Sequence, residues 1–228
     1  KLFTIIALTV LFNMNAQTYS NNWYQGDGYY AIENFLSTAT GDYSTAIGSS
    51  TTASGTYSTA MGGSTTASGG SSTAMGISTE ASGDRSTAMG RSTRASGYAS
   101  TAMGNETIAS GDYSTAMGDN SWATGDYSTA MGYETTASGS RSTAMGRYTL
   151  ASGDNSTAMG RDTKASDYGS LVIGQYNSSG SSVTSSATNF STANTAFVIG
   201  NGTGTGVDAS DAFSILFDGT TNIAGSVT

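Results

Sequence analysis

The stretch DYSTAMGDNSWATGDYSTAMG, residues 112–132, says one phrase twice. Asp112-Tyr113-Ser114-Thr115-Ala116-Met117-Gly118 returns fourteen positions on as Asp126-Tyr127-Ser128-Thr129-Ala130-Met131-Gly132. Outward from this pair the phrase does not slip. Ser-Thr-Ala-Met/Ile-Gly begins at Ser44, Ser58, Ser72, Ser86, Ser100, Ser114, Ser128, Ser142 and Ser156, and Ser170-Leu171-Val172-Ile173-Gly174 closes the series. A looser unit alternates with it, from Thr51-Thr52-Ala53-Ser54-Gly55 to Thr163-Lys164-Ala165-Ser166-Asp167. Taken together, Ala recurs every seven residues from Ala39 to Ala165, and Gly every seven from Gly41 to Gly160.

A period of seven invites a coiled coil, which the residues refuse. Gly in every heptad costs about 1 kcal/mol each in a helix, and the paired large apolar positions of a coiled-coil seam are missing. Short strands joined by Gly-x-x corners fit instead. The expectation is an all-β, parallel β-roll or solenoid with 14-residue coils and two short strands per coil. Glycine would supply the unusual φ at each corner. Coils stacked about 4.8 Å apart make a rod roughly 45 Å long. The 31 Gly and the many Ser and Thr would otherwise read as a linker, but stacked repeats bury a core that no single unit could.

Period-two alternation then assigns the faces. In Thr79-Glu80-Ala81-Ser82-Gly83, Glu80 and Ser82 point outward and the others inward. The Glu80 column also holds Thr52, Thr66, Arg94, Ile108, Trp122, Thr136, Leu150 and Lys164, a mixture that belongs in solvent. Its exposed members Arg94, Ile108, Trp122, Leu150 and Lys164 are the candidate ligand-binding column, with drift on an unconstrained face as the plainer reading. The same parity puts Ser114, Ala116 and Gly118 inside, and Thr115 and Met117 outside. Interior hydroxyls are expected to bond to corner backbone groups. The outward row is Ile47, Met61, Met75, Met89, Met103, Met117, Met131, Met145 and Met159. So long an apolar row needs a cover, and three rolls packed about one axis would supply it, making this row the trimer interface. Burying each Met would contribute about 1.5–3 kcal/mol. The rival is a wider interior with Met inside.

Residues 1–16 combine Lys1, an apolar run from Leu2 to Phe12 and a small-residue exit at Asn15-Ala16. The run is short for a bilayer span and reads as a secretory signal cleaved after Ala16. Residues 17–38 read as an aromatic N-terminal cap. Within it, carbohydrate or partner binding by Trp23, Tyr24, Tyr29 and Tyr30 is the minority reading. Residues 39–174 form the roll, and 175–228 a β-rich Gly/Ser/Thr connector with strands near Ala196–Ile199 and Phe213–Phe217.

The alternation in STAMGRSTRASGYASTAMGNETIASGDYS, residues 86–114, resembles the head repeats of YadA-like trimeric autotransporter adhesins, whose heptads run S-x-A-x-G-x-x-S. The resemblance covers residues 39–174. It implies a left-handed parallel roll, an intertwined homotrimer and display on a bacterial cell surface for attachment. The tail resembles the β-rich segments that precede the self-cleaving chaperone of tail-spike-type proteins. No heptad stalk, anchor strands or chaperone is visible, so the sequence reads as a fragment.

Composition excludes much chemistry. The chain has 228 residues with no Cys, His or Pro and a net charge of −8. Nucleic acid is therefore an unfavourable partner, and thiolate, His-based and Ser-His-Asp catalysis are ruled out. No enzyme, cofactor or metal is expected, and no membrane insertion once the signal is removed. Corner residues Asp42, Asp84, Asp112, Asp126 and Asp154 read as turn chemistry, in which Asp bonds its own backbone, rather than calcium ligands. Tyr113 and Tyr127 should stack, with Arg141 next in their column. The expected function is a secreted or surface-displayed adhesin or fibre head, multivalent toward extracellular matrix or glycan. The alternatives are a passive spacer and, from the outward Thr column Thr45 to Thr157, an ice-binding solenoid.

Overall fold

The computed structural model describes residues 23–34, 36–178 and 186–224. The signal reading of residues 1–16 lies outside them, as do the side chains of Trp23 and Tyr24. The remainder is a parallel β-solenoid. Each coil of the array contributes one five-residue strand, such as Thr115–Asp119, and one shorter strand, such as Trp122–Ala123. Thr101–Asn105, Thr115–Asp119 and Thr129–Tyr133 pair in parallel with Met103, Met117 and Met131 in line. All the Met-bearing strands join one 15-stranded sheet, and the shorter strands form a second sheet of ten. The sequence period of fourteen is thus the ladder register itself.

The interior is as narrow as the alternation requires. Every seventh Ala from Ala39 to Ala165 is fully buried, with Val172 and Val198 continuing the line. The other buried column is Ser or Thr, from Ser44 to Ser170. A few of its hydroxyls find partners: Ser170 Oγ reaches a corner backbone group as expected, donating to the Asp167 carbonyl at 2.9 Å, whereas others bond elsewhere. Ser156 Oγ donates to the Ala165 carbonyl at 3.2 Å, and Thr135 Oγ1 donates to Ser121 Oγ at 2.9 Å. Most, including Ser100 and Ser114, find no hydrogen-bond partner among the described residues.

The corners differ from the simplest reading. Among non-glycine residues the positive φ falls on the second residue after a Gly, at every seventh position from Tyr43 to Asp162 and again at Tyr30 and Tyr176. In Gly125-Asp126-Tyr127-Ser128 the Ser128 N–H donates to the Gly125 carbonyl at 3.2 Å, and Tyr127 takes φ 58°. A left-handed residue with a Cβ costs about 1–2 kcal/mol. The cross-coil bonds oppose that cost: Tyr127 N–H donates to the Asp112 carbonyl at 2.7 Å and Tyr113 N–H to Tyr98 at 2.7 Å. Glycine has two distinct tasks. Gly118, after Met117, is itself at φ +115° and is not buried, contrary to simple alternation. Gly125 is buried in an ordinary φ, where a Cβ would overlap the backbone of Gly139 in the next coil.

Side chains finish the ends. Asn34 mimics a strand, donating to the Gly48 carbonyl at 2.8 Å and accepting the Gly48 N–H at 3.2 Å. Glu33 accepts the Ala39 N–H at the edge of the second sheet at 2.6 Å. At the far edge Asn177 brackets Lys164, accepting its N–H at 2.8 Å and donating to its carbonyl at 3.1 Å. Trp23–Gln25 adds one antiparallel strand at the start. Past Leu171–Gln175 the Met sheet gains a further parallel strand, Thr195–Asn201, which sets Val198 beside Val172 and Ile199 beside Ile173. Asp211–Leu216 and Thr221–Ile223 follow antiparallel. Strand edges that would invite other chains are thereby shortened or covered.

Candidate functional site

Three surfaces run the length of the rod, and each is built by the register. The first is the outward face of the Met sheet. Met61 is paired with Met75, Met89 with Met103 and Met145 with Met159, so one side chain stands on the next. None of these Met side chains enters the roll: Met75 to Met145 are half-buried, and Met61 and Met159 are exposed at 37% and 38%. The alternative of a wide interior holding Met does not hold. This face extends past the array. Leu171, Phe197 and Ile215 continue the Thr column, while Ile173, Ile199, Phe213 and Ile223 continue the Met column. Phe197 and Phe213 lie 6.0 Å apart between ring centroids. The spacing hid this, since Leu171 to Phe197 spans 26 residues rather than fourteen.

The second surface is the outward column of the shorter strands. Register places Glu80, Arg94, Ile108, Trp122, Thr136, Leu150 and Lys164 side by side in that order. The five candidate residues are therefore one continuous line, broken only by Thr136. Trp122 is 43% exposed, and Arg94 and Lys164 are exposed, whereas Ile108 and Leu150 are half-buried by their neighbours. Arg94 Nη2 meets Glu80 Oε1 at 3.5 Å on this open face, an ion pair of little energetic weight.

The third surface is the pair of corners. Tyr113 and Tyr127 stack at 5.0 Å and 7°, with the Arg141 guanidinium 5.6 Å from the Tyr127 centroid. The corner carboxylates act across coils rather than on their own backbone. Asp112 Oδ1 accepts the Tyr98 N–H at 2.8 Å, Asp126 Oδ1 the Asp112 N–H at 3.0 Å and Asp154 Oδ1 the Ser140 N–H at 2.9 Å. Each satisfies an N–H that the ladder leaves over at its corner. Among the described residues no group of three or more carboxylates could hold a metal ion. On the opposite corner, hydrogen bonding to Glu134 and its negative charge push the Tyr133 hydroxyl up to about 12, and Arg147 lies over both Tyr133 and Tyr148. A hydrogen bond with Tyr30 likewise raises Tyr29.

These surfaces offer shape, rings and charge, with no nucleophile set apart from its repeats. No curated protein matches the chain. A family model described as the YadA head domain repeat, in two copies, matches residues 39–65, 67–93, 95–121, 123–149 and 151–177. Each match covers two coils, so the family's repeat and the structural coil are the same unit. Matching more than half of the sequence in consecutive blocks, with that repeat folded as a parallel solenoid, the chain belongs to the YadA head-repeat family.

Proposed function

We propose that this chain is an exported, trimeric β-roll serving as the head of an adhesin-type fibre on a bacterial surface. The observation that carries the reading is the unbroken outward row from Ile47 to Met159, apolar in every coil and left half-exposed by a single roll. Three rolls sharing an axis cover all three rows at once. The variable columns then face outward, and three copies of each weak contact act together through effective concentration. Arg94, Ile108, Trp122, Leu150 and Lys164 are the proposed contact line toward matrix protein or glycan. Binding of the full chain to immobilised matrix proteins and a glycan array tests this, beside a variant with those five residues changed to Ser. The reading expects a trimer in solution for both proteins and loss of binding in the variant; unchanged binding would move the contact elsewhere.

The passive-spacer reading has one observation in its favour. Arg94 and Glu80 already engage each other within the column. Retained trimerisation with no binding by either protein would favour it.

A further inference from the structure

Two tyrosine stacks run along the same corner, and they end differently. The later stack is closed at both ends. Arg141 covers Tyr127 at 5.6 Å, Tyr127 stacks on Tyr113, and Tyr98 meets Tyr113 edge-on at 5.3 Å. Arg85 covers Tyr98 at 5.2 Å and donates to its hydroxyl. The earlier stack is open. Tyr43 and Tyr57 lie 4.9 Å apart at 12°, but fourteen residues past Tyr57 stand only Gly70 and Ser71. Tyr43 is the sole ring over Tyr57 among the described residues, and Tyr57 remains 60% exposed.

The two steps share one frame. Tyr57 and Ser71 have φ of 60° and 56°, and Tyr127 and Arg141 have 58° and 57°, so both pairs leave the backbone the same way. In the occupied step, Asp154 bonds the Ser140 N–H beside Arg141 at 2.9 Å. In the bare step, Asp84 bonds the Gly70 N–H beside Ser71 at 2.8 Å. Ring below, missing side chain, carboxylate above: the spacing Tyr57, Ser71, Asp84 repeats Tyr127, Arg141, Asp154 residue for residue. Arg85, fourteen residues past Ser71 in the same column, is turned onto Tyr98 in the following coil.

We propose that the step at Gly70–Ser71 is a subsite for a guanidinium or ammonium group of a basic partner segment. The cation lies on Tyr57 as Arg141 lies on Tyr127, with the Asp84 carboxylate beside it. A planar guanidinium fits best, because it stacks on the ring face while its edge donates to the carboxylate. One coil step of about 4.8 Å is the height that a stacked group needs. The net charge of −8 favours such a partner. An exposed cation–π contact is worth about 0.5–1 kcal/mol, so one site binds weakly and gains by repetition on a multimeric fibre. The subsite requires neither the trimer nor adhesion through the Trp122 column.

The test is an NMR titration of the full chain, labelled at tyrosine, with N-acetyl-arginine amide and, separately, its neutral isostere N-acetyl-citrulline amide. Arginine is expected to move the Tyr57 ring signals saturably, leaving Tyr127 unmoved and citrulline without effect. Ser71→Arg should abolish the response by filling the step from within, at a corner where Arg85 and Arg141 already stand. Arg141→Ser should make Tyr127 respond as Tyr57 does. Asp84→Asn keeps an oxygen for the Gly70 N–H and should weaken binding about two- to fivefold. Equal responses to arginine and citrulline, equal movement of Tyr57 and Tyr127, or an intact Tyr57 response in Ser71→Arg would each overturn the proposal.

Discussion

The two sheets are written in the same heptad and share one interior, yet their outward faces are unlike. Between Thr45 and Met159 the longer strands show Thr and, after Ile47, Met in every coil. The shorter strands show Thr, Glu, Arg, Ile, Trp, Leu and Lys over the same rise. Inside, the two halves are interchangeable: Ser or Thr, then Ala, both fully buried. The difference therefore cannot come from packing within the roll. A face open to water tolerates almost any side chain, whereas a uniform apolar face is what identical surroundings at every rung demand. A neighbouring copy in the same register is such a surrounding.

The sharpest way to break this contrast is to make one face like the other. Changing Met89, Met103 and Met117 to Ser removes three apolar groups, each worth about 1.5–3 kcal/mol if fully covered. Dissociation or unfolding is expected, read as solution mass and melting temperature. Changing Arg94, Ile108 and Trp122 to Ser on the other face should leave the mass unchanged and shift stability by less than about 1 kcal/mol per site. Similar losses from both triples would mean that the Met row is an ordinary surface.

A smaller effect separates the two glycine tasks from open glycine. Gly118→Ala meets both a φ of +115° and overlap with the Gly132 backbone, so a loss of about 3 kcal/mol is expected by thermal or chemical denaturation. Gly63→Ala, with nothing near its Cβ, should be within about 0.5 kcal/mol of the parent. Next come the corners. Asp126→Ala leaves the Asp112 N–H without its acceptor and should cost about 1 kcal/mol, whereas Asp126→Asn should recover most of it. Ala99→Gly should stabilise by about 1 kcal/mol, because Ala99 sits at φ 51° without the ring stacking that Tyr113 gains there.

Much of this was legible in the residues. Ala every seven and Ser-Thr-Ala-Met-Gly every fourteen gave the coil, the interior and the outward Met row, because strand parity and stacking leave few other solutions. The Tyr113–Tyr127–Arg141 ladder followed from the same spacing. What the spacing could not give was anything dependent on backbone hand or on breaks in the period. The left-handed φ sits on Tyr127 and Arg141, residues with no preference for it, because cross-coil hydrogen bonds impose it from outside. The Asp carboxylates reach the preceding coil for the same reason: the leftover N–H is there. Phe197, Ile199, Phe213 and Ile215 were hidden by the change of step and then of strand direction. Asn34 and Asn177 are single residues whose role exists only because a sheet stops beside them.

The smallest effect is electrostatic and belongs to the corner opposite the tyrosine stacks. Tyr133 is raised from the ordinary 10.0 to about 12, first by its hydrogen bond to Glu134 and then by the charges of Glu134 and Tyr148. The folded chain therefore holds a proton on Tyr133 that the unfolded chain gives up near its ordinary value. Between those two values the native state binds more protons than the unfolded state, so stability falls as pH rises through this window. Below it, the contribution is fully present. Ultraviolet titration of tyrosinate should show Tyr133 among the late-ionising groups of the folded protein, beside Tyr29, and in Glu134→Gln only the Tyr133 step should move earlier. The Met-face assembly should not change in that variant, because Glu134 lies at a corner rather than on either apolar row. Movement of both together would mean that the corner and the Met sheet are coupled, and the division of the roll into one shared face and one free face would need redrawing.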